Sequence, residues 1–369
     1  MCASTPKEIC KFKEELGQYT KPKDLCQTRI IVLDSSLMSI ELLVLGDSGN
    51  DNAALVRIDT GQAIHRLLFD CGQDVLNSLE YNEILSIDHL FFSHLHMDHI
   101  AGFDAFFRGL YARTHKPNSI WGPDQTARIL QHRFCGTLWN LHEGMNATWL
   151  VHDVLEEYIR TYRYELSEAF ENAYLEPKKP RSKYILEHPD YSVETIILDH
   201  RTPSLAYVVR EKDRINLEPE KLKALGLEAG AWVRDLKNLE LQKETLNING
   251  KIYPLEALRS ELLTHTKGDA VAYCTDFILN QETAQKLIPA LQGVRVLLCE
   301  SQYLHTDLEM AEKNFHMTNK QVAELAALAG VQELRLFHVS DRYSALERQV
   351  LLEQARSIFA NTHYPSHWV

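Results

Sequence analysis

The segment Ser93-His94-Leu95-His96-Met97-Asp98-His99 constrains this chain more than any other. It places three imidazoles and a carboxylate within six residues, directly after the apolar residues 87–92. A turn that leaves a strand can aim all four groups at one spot. Neutral imidazole suits zinc, iron or manganese, and an added carboxylate suits a harder, hydrolytic metal. While the chain is extended, His94 and His96 share a face; once it turns, Asp98 and His99 fall on the opposite side, which serves a second ion. Solvated histidines on a hydrophilic turn are the bland alternative, and a pattern this dense seldom arises by chance.

The surrounding texture supports a strand before the turn. Residues 40–46, 65–72 and 87–94 are short apolar runs that end in Gly, Asp or His, as expected of a buried sheet delivering polar residues to one edge. Residues 270–276, 294–300 and 334–340 repeat the pattern, and 319–329 reads as an intervening helix closed by Gly330. Strands are also expected at 192–198 and 205–209. The consistent class is α/β with stacked sheets. Residues 1–37 are polar and Lys-rich and read as an N-terminal extension, leaving 38–369 as the main domain. Within it, apolar residues at helical spacing (Leu150, Val154, Leu155, Tyr158, Tyr162) predict a helical insertion over 124–176. The basic loop 177–183 follows, so the insertion and loop together span 124–184.

Composition excludes several classes. With 45% hydrophobic and 24% charged residues, the 369-residue chain can bury a large core. Nothing in it reaches the ~18 uncharged apolar residues that a membrane span requires. The N-terminus has no apolar signal segment and the seven cysteines are scattered, so reduced thiols and a cytoplasmic location are expected. Lys plus Arg number 39 against 51 Asp plus Glu, a net charge of −12. That argues against broad electrostatic wrapping of nucleic acid and leaves room only for a local basic groove.

The dense His/Asp motif resembles that of the metallo-β-lactamase superfamily. Further segments sharpen the likeness: Leu198-Asp199-His200, Tyr273-Cys274-Thr275-Asp276, Leu298-Cys299-Glu300, His316 through Gln321, and Phe337-His338 through Tyr343. Their order and spacing are similar to the RNase Z family of tRNA 3′-processing endonucleases, from about residue 40 to about 360. The resemblance implies a four-layer αβ/βα sandwich, two Zn2+ per chain (with Mn2+ or Fe2+ as alternatives) and a homodimer. It makes His94, His96 and His200 the ligands of one zinc and Asp98, His99 and His338 those of the second, with Asp276 bridging. Two ions ~3.5–4 Å apart lower the pKa of a shared water and clamp both sides of a phosphoryl group in transfer.

His316 precedes Thr318-Asn319-Lys320-Gln321, a capping-box pattern opening an apolar-striped helix. A histidine held at so rigid a turn suits a general acid that protonates the leaving 3′ oxygen or binds the phosphate. Glu300, at a strand end, is expected to hold its other ring nitrogen, as the matching pair does in RNase Z. Asp98, His316 and Glu300 are thus the expected catalytic set. Asp70 matches an aspartate that supports the metal-binding loop. Arg342 is open between contacting a phosphate and tying down the C-terminal segment.

Several features depart from the family pattern. The loop Gly46-Asp47-Ser48-Gly49-Asn50-Asp51-Asn52 is acidic where a Pro and basic residues are usual. The arm-like segment 211–262 lacks the expected Gly-Pro pair. Cys274-Thr275-Asp276-Phe277 stands where Gly-Asp-Thr is usual. Two substrates remain open: RNA, in the form of precursor tRNA held by the arm and the basic loop, or a small phosphodiester, ester or lactone, which the acidic loop favours.

Overall fold

The computed structural model describes residues 40–368; the extension expected at 1–37 lies outside them. Nine strands form the first sheet: β1 (Ile40–Leu45), β2 (Ala53–Asp59), β3 (Ile64–Phe69), β4 (His89–Phe91), β5 (Asn118–Pro123), β6 (Thr148–Val154), β7 (Tyr158–Glu165), β8 (Tyr174–Leu175) and β9 (Lys179–Pro180). They lie in chain order as far as β8, and β9 pairs with β7. The β1–β2–β3 meander is antiparallel, and β3, β4, β5 and β6 are mutually parallel. The second sheet begins with the antiparallel strands β10 (Tyr184–Glu187), β11 (Tyr191–Asp199) and β12 (Pro203–Glu211).

The chain then leaves that sheet for a folded excursion. β13 (Arg214–Leu217), the hairpin β14 (Thr245–Ile248) and β15 (Lys251–Pro254), and β16 (Leu263–Thr266) enclose three short helices. Leu222, Leu236, Leu246, Ile248, Leu255 and Leu258 form a small core of its own there. The arm-like segment expected at 211–262 is therefore a compact unit pinned by the β13–β16 pairing. The chain returns as β17 (Ala270–Cys274), followed by β18 (Val296–Glu300), β19 (Glu333–Phe337) and β20 (Thr362–His363), all parallel to their neighbours after β17.

Large apolar side chains weld four layers together. Phe69, Phe91 and Trp121 of the first sheet meet Tyr207, Tyr273 and Phe337 of the second in a continuous core. Outside the first sheet, Phe103 and Phe107 of the helix Phe103–Leu110 and Phe134 of the helix Thr126–Phe134 pack with Trp149. Outside the second, the helices Gln281–Leu291, Asn319–Ala329 and Ala345–Arg356 cover β17, β18 and β19. Each such side chain, fully buried, contributes about 1.5–3 kcal/mol. The αβ/βα sandwich expected from the resemblance is the observed architecture. Among the described residues, no helix is long and apolar enough to cross a membrane.

Most of the insertion is not helical. After the helix Thr126–Phe134 it holds a single 3-10 turn, Leu166–Glu168, and the apolar segment between the two is the β6–β7 hairpin extending the first sheet. Leu150, Val154, Leu155, Tyr158 and Tyr162 fall at helical spacing only because this hairpin is covered on both faces. Its buried residues lie on both faces: Trp149, Val151 and Tyr164 join the outer cluster with Phe134, while Val154 and Ile159 join the cluster between the sheets. Their β-branched and aromatic character agrees with a pleated surface. Trp149 and Tyr164 are core side chains.

Candidate metal centre

The carboxyl ends of β4, β17, β18 and β19 open on one edge, and β11 ends there too, since it pairs antiparallel with β12 and β12 with β17. Each loop leaving this edge carries polar residues: His94, His96, Asp98 and His99 after β4; His200 after β11; Asp276 after β17; Glu300 closing β18; His338 after β19. Three of the aiming residues, Asp70, Asp276 and His338, have left-handed φ values of 57°, 49° and 50°. Non-glycine residues are held there at roughly 1–3 kcal/mol each only when the surroundings over-determine them. Here the sharp turns keep the side chains on the edge.

Two close approaches of backbone hold the first loop in place. A Cβ on Gly102 would lie 2.1 Å from the carbonyl oxygen of Gly72, and a Cβ on Gly72 would lie 2.6 Å from that of Asp98. Only glycine lets the turn after β3 touch the helix start after Asp98. Asp70, in that turn, accepts hydrogen bonds from Ser93 N (2.6 Å), Ser93 Oγ (2.6 Å), His99 Nδ1 (2.7 Å) and the Tyr273 hydroxyl (2.7 Å). Both sheets are tied to one buried carboxylate, and the His99 ring is oriented by it.

The donors gather in two groups. His94, His96 and His200 present nitrogens within 4.8 Å of one another, and Asp98, His99, Asp276 and His338 form a second such group. Asp276 lies between them: its Oδ2 is 3.5 Å from His94 Nε2, 3.3 Å from His99 Nε2 and 3.9 Å from His200 Nε2, and its Oδ1 is 3.2 Å from His338 Nδ1. Asp98 Oδ2 is 3.3 Å from His99 Nε2 and 3.5 Å from His338 Nε2. His200 is aimed by its Nδ1, which donates to the carbonyl oxygen of Phe315 at 2.7 Å.

The arrangement fits divalent ions. Among the described residues, the buried nitrogens His99 Nε2 and His338 Nδ1 find no hydrogen-bond partner, and buried polar atoms are rarely left so unless something else satisfies them. His94 Nε2 faces His96 Nδ1 at 3.0 Å, two ring nitrogens turned toward the same space. Burial, reinforced by His99, pushes His94 well below its ordinary range; burial and His200 push His96 down too. Both are thereby neutral, as metal ligands must be. On the other side burial opposes charge on His99, but Asp70 and Asp276 outweigh it and hold that imidazole well above its ordinary value. His338 behaves alike: Asp276 and a hydrogen bond with Asp98 overcome burial.

His316 stands beside the donors, its ring 4.8 Å from that of His200 and 5.9 Å from that of His338. Its Nδ1 donates to Glu300 Oε2 at 2.9 Å, while Glu300 Oε1 accepts Phe277 N–H at 3.0 Å. Burial alone would lower its pKa; the Glu300 carboxylate, helped by Asp276 and Asp98, raises it to about 9. The capping box expected at Thr318 and Gln321 is present and fixes the turn. Arg342 is set further out. Its guanidinium lies 4.9 Å from the centroid of Tyr303 and its Nε donates to Ser340 Oγ at 3.2 Å. Tyr303 in turn lies 5.9 Å from His316.

Ser93, Tyr273, Phe277 and Phe315 complete the site through a backbone group or a strand hydroxyl. Only Tyr273 carried a signal, as a hydroxyl in an otherwise apolar strand. The basic loop is largely engaged within the fold: Arg181 Nη2 donates to the carbonyl oxygen of Thr195 at 2.7 Å, Lys178 lies 4.4 Å from the Tyr158 ring centroid, and Lys183 pairs with Glu194 at 3.6 Å.

Stacked sheets with a His/Asp-lined edge at the strand ends define a metal-dependent hydrolase of the metallo-β-lactamase fold. A metallo-β-lactamase fold protein of Bacillus subtilis, YhfI, shares that fold with a TM-score of 0.52 at 16% identity, over 88% of this chain and 95% of that one. Residues 48–208 match the family described as anti-Pycsar protein Apyc1. The ribonuclease Z of Deinococcus radiodurans is 43% identical over 326 residues, 88% of this chain and 98% of its own length. That of Methanocaldococcus jannaschii is 30% identical over 76% of this chain and 78% of its own. The chain belongs to the ribonuclease Z family.

Proposed function

We propose that this chain is an endoribonuclease that hydrolyses a phosphodiester near the 3′ end of precursor tRNA, with two zinc ions at the strand-end edge. The observation that carries the reading is the convergence of seven donor residues with Asp276 at their centre, and the His316–Glu300 pair alongside, in a member of the ribonuclease Z family. His94, His96 and His200 would hold one ion and Asp98, His99 and His338 the other, Asp276 serving both; a set of five imidazoles and two carboxylates suits zinc, with manganese or iron as substitutes. Bound there, the ions supply Lewis-acid stabilisation of the phosphoryl oxygens and an activated water.

The remaining work falls to the chain's own groups. With its pKa at about 9, His316 is protonated at neutral pH and donates from its free ring nitrogen to the leaving oxygen. Glu300 fixes the ring and stabilises its charge. Asp70 keeps His99 in one tautomer and orientation. From the resemblance we extend the reading to a cytoplasmic homodimer; light scattering that returned the mass of a single chain would refute the dimer.

A small phosphodiester is the second reading, and one observation favours it. The cavity of about 150 Å³ beside His338 and Asp98 is also lined by Asp51 and Asp341, an unwelcoming wall for a polyanion. The test sets zinc-loaded protein on a 3′-extended tRNA precursor beside bis-p-nitrophenyl phosphate. One cut after the discriminator base, with affinity falling steeply as salt rises, supports the RNA reading. Turnover of the small diester alone, with almost no salt dependence, supports the second.

A further inference from the structure

A separate cluster sits at the opposite end of the sandwich. His65 lies near the start of β3, whose far end leads into Asp70; at about 3.3 Å per residue these ends are roughly 17 Å apart. His188 and Asp190 occupy the turn between β10 and β11, in the other sheet. His65 Nε2 lies 2.8 Å from Asp190 Oδ2, and His188 Nδ1 lies 3.5 Å from the same oxygen. Donor atoms of all three residues fall within 4.8 Å of one another.

We propose that His65, His188 and Asp190 bind a divalent transition-metal ion of the zinc class that clips the two sheets together, independently of the catalytic edge. Two imidazoles and a carboxylate are a zinc donor set, and tetrahedral bonds of about 2.0–2.2 Å place ligand atoms roughly 3.3–3.6 Å apart. The spacing here needs only small ring rotations. The backbone N–H of Asp190 donates to His188 Nδ1 at 3.2 Å, so that nitrogen is unprotonated, and binding the ion exchanges this one weak hydrogen bond for a metal bond. The His188 ring stacks on Tyr191 with centroids 4.8 Å apart, which limits its rotation, and the His65 ring lies 4.5 Å from it. Burial and the neighbouring His65 keep His188 below its ordinary pKa and hence neutral. Among the described residues, the Asp190 carboxylate meets no Lys or Arg; its partners are the two imidazoles. The nearby Asp88 is instead paired with Lys116. Side-chain exposures of 36% for His188 and 39% for Asp190 leave a path for the ion and a water as fourth ligand.

The test uses the full-length wild-type protein with Zn2+ as the probe. Carbethoxylation of each histidine is followed by peptide mass spectrometry with and without the ion. At ten times the dissociation constant, His65 and His188 should react roughly tenfold more slowly, and His188→Ala should abolish the protection of His65. Metal analysis under the same conditions should return one ion fewer for His188→Ala and for Asp190→Asn, whose near-isosteric side chain guards against a folding defect, with phosphodiesterase activity unchanged. Unchanged carbethoxylation rates at His65 and His188, or equal metal content in the wild type and both variants, would overturn the proposal and leave a hydrogen-bonded His–Asp pair.

Discussion

The two donor groups that meet at Asp276 are built differently. His94, His96 and His200 form an all-imidazole side in which burial and mutual repulsion keep His94 and His96 neutral. Asp98, His99 and His338 form a side where carboxylates favour protonated imidazoles, and where Asp70 ties His99 to both sheets. The first side is ready to accept an ion as it stands. The second must give up protons to accept one, and its framework is the more heavily braced. The contrast teaches that two donor groups facing one carboxylate can differ in proton linkage.

Removing the bridge should have the largest effect. Asp276→Ala strips both sides of their common ligand, so metal analysis should show loss at both positions and phosphodiesterase activity should fall to background. Full activity in that variant would break the two-sided description.

Next is His316→Ala, which lies outside both groups. It should retain metal and fold while lowering kcat on RNA by roughly 10²–10⁴-fold, the usual range for a positioned acid. A p-nitrophenyl diester has a good leaving group and should be much less affected; equal losses on both substrates would assign His316 to phosphate binding. In the wild type, kcat should fall as pH rises through about 9, because the proton donor is lost, and the variant should lack that limb. Glu300→Gln should give a smaller loss in the same direction.

Asp70→Asn tests the bracing of the second side. Loss of a partner that orients a metal-binding histidine typically costs 10–100-fold in affinity or activity, and the loss should fall on the Asp98 side. Proton linkage offers a finer probe. Because His99 and His338 have raised pKa values, protons compete for that side as pH falls. Dialysis of the zinc-loaded protein at decreasing pH should release the ion at the Asp98 side before its neighbour. The last, Gly102→Ala, sets a Cβ 2.1 Å from the Gly72 carbonyl oxygen and should destabilise by at least about 1–3 kcal/mol, read as a lower Tm together with weaker metal binding as the loop is displaced.

Much of this site is legible in the sequence, for a physical reason. A metal-binding loop needs several donors within a few residues, and His94 through His99 supply that density before any geometry is known. His200, Asp276 and His338 are individually ordinary; they stand out because each follows an apolar strand. The bracing is less visible. The Tyr273 hydroxyl and the Phe315 carbonyl act across more than a hundred residues of chain, and backbone groups leave no mark in a sequence. The β6–β7 hairpin misleads for another reason: with both faces covered, its strand alternation is blurred, and Leu150 and Val154 mimic a helical stripe.

The most direct measurement is crystallographic: anomalous scattering at the zinc edge from crystals of the zinc-loaded protein. At the strand-end edge two peaks are expected about 3.5–4 Å apart, distinct from any peak at His65, His188 and Asp190, one within reach of His94, His96 and His200, the other within reach of Asp98, His99 and His338, with Asp276 touching both. A single peak at that edge, or two peaks with Asp276 turned away from either, would contradict the two-ion site.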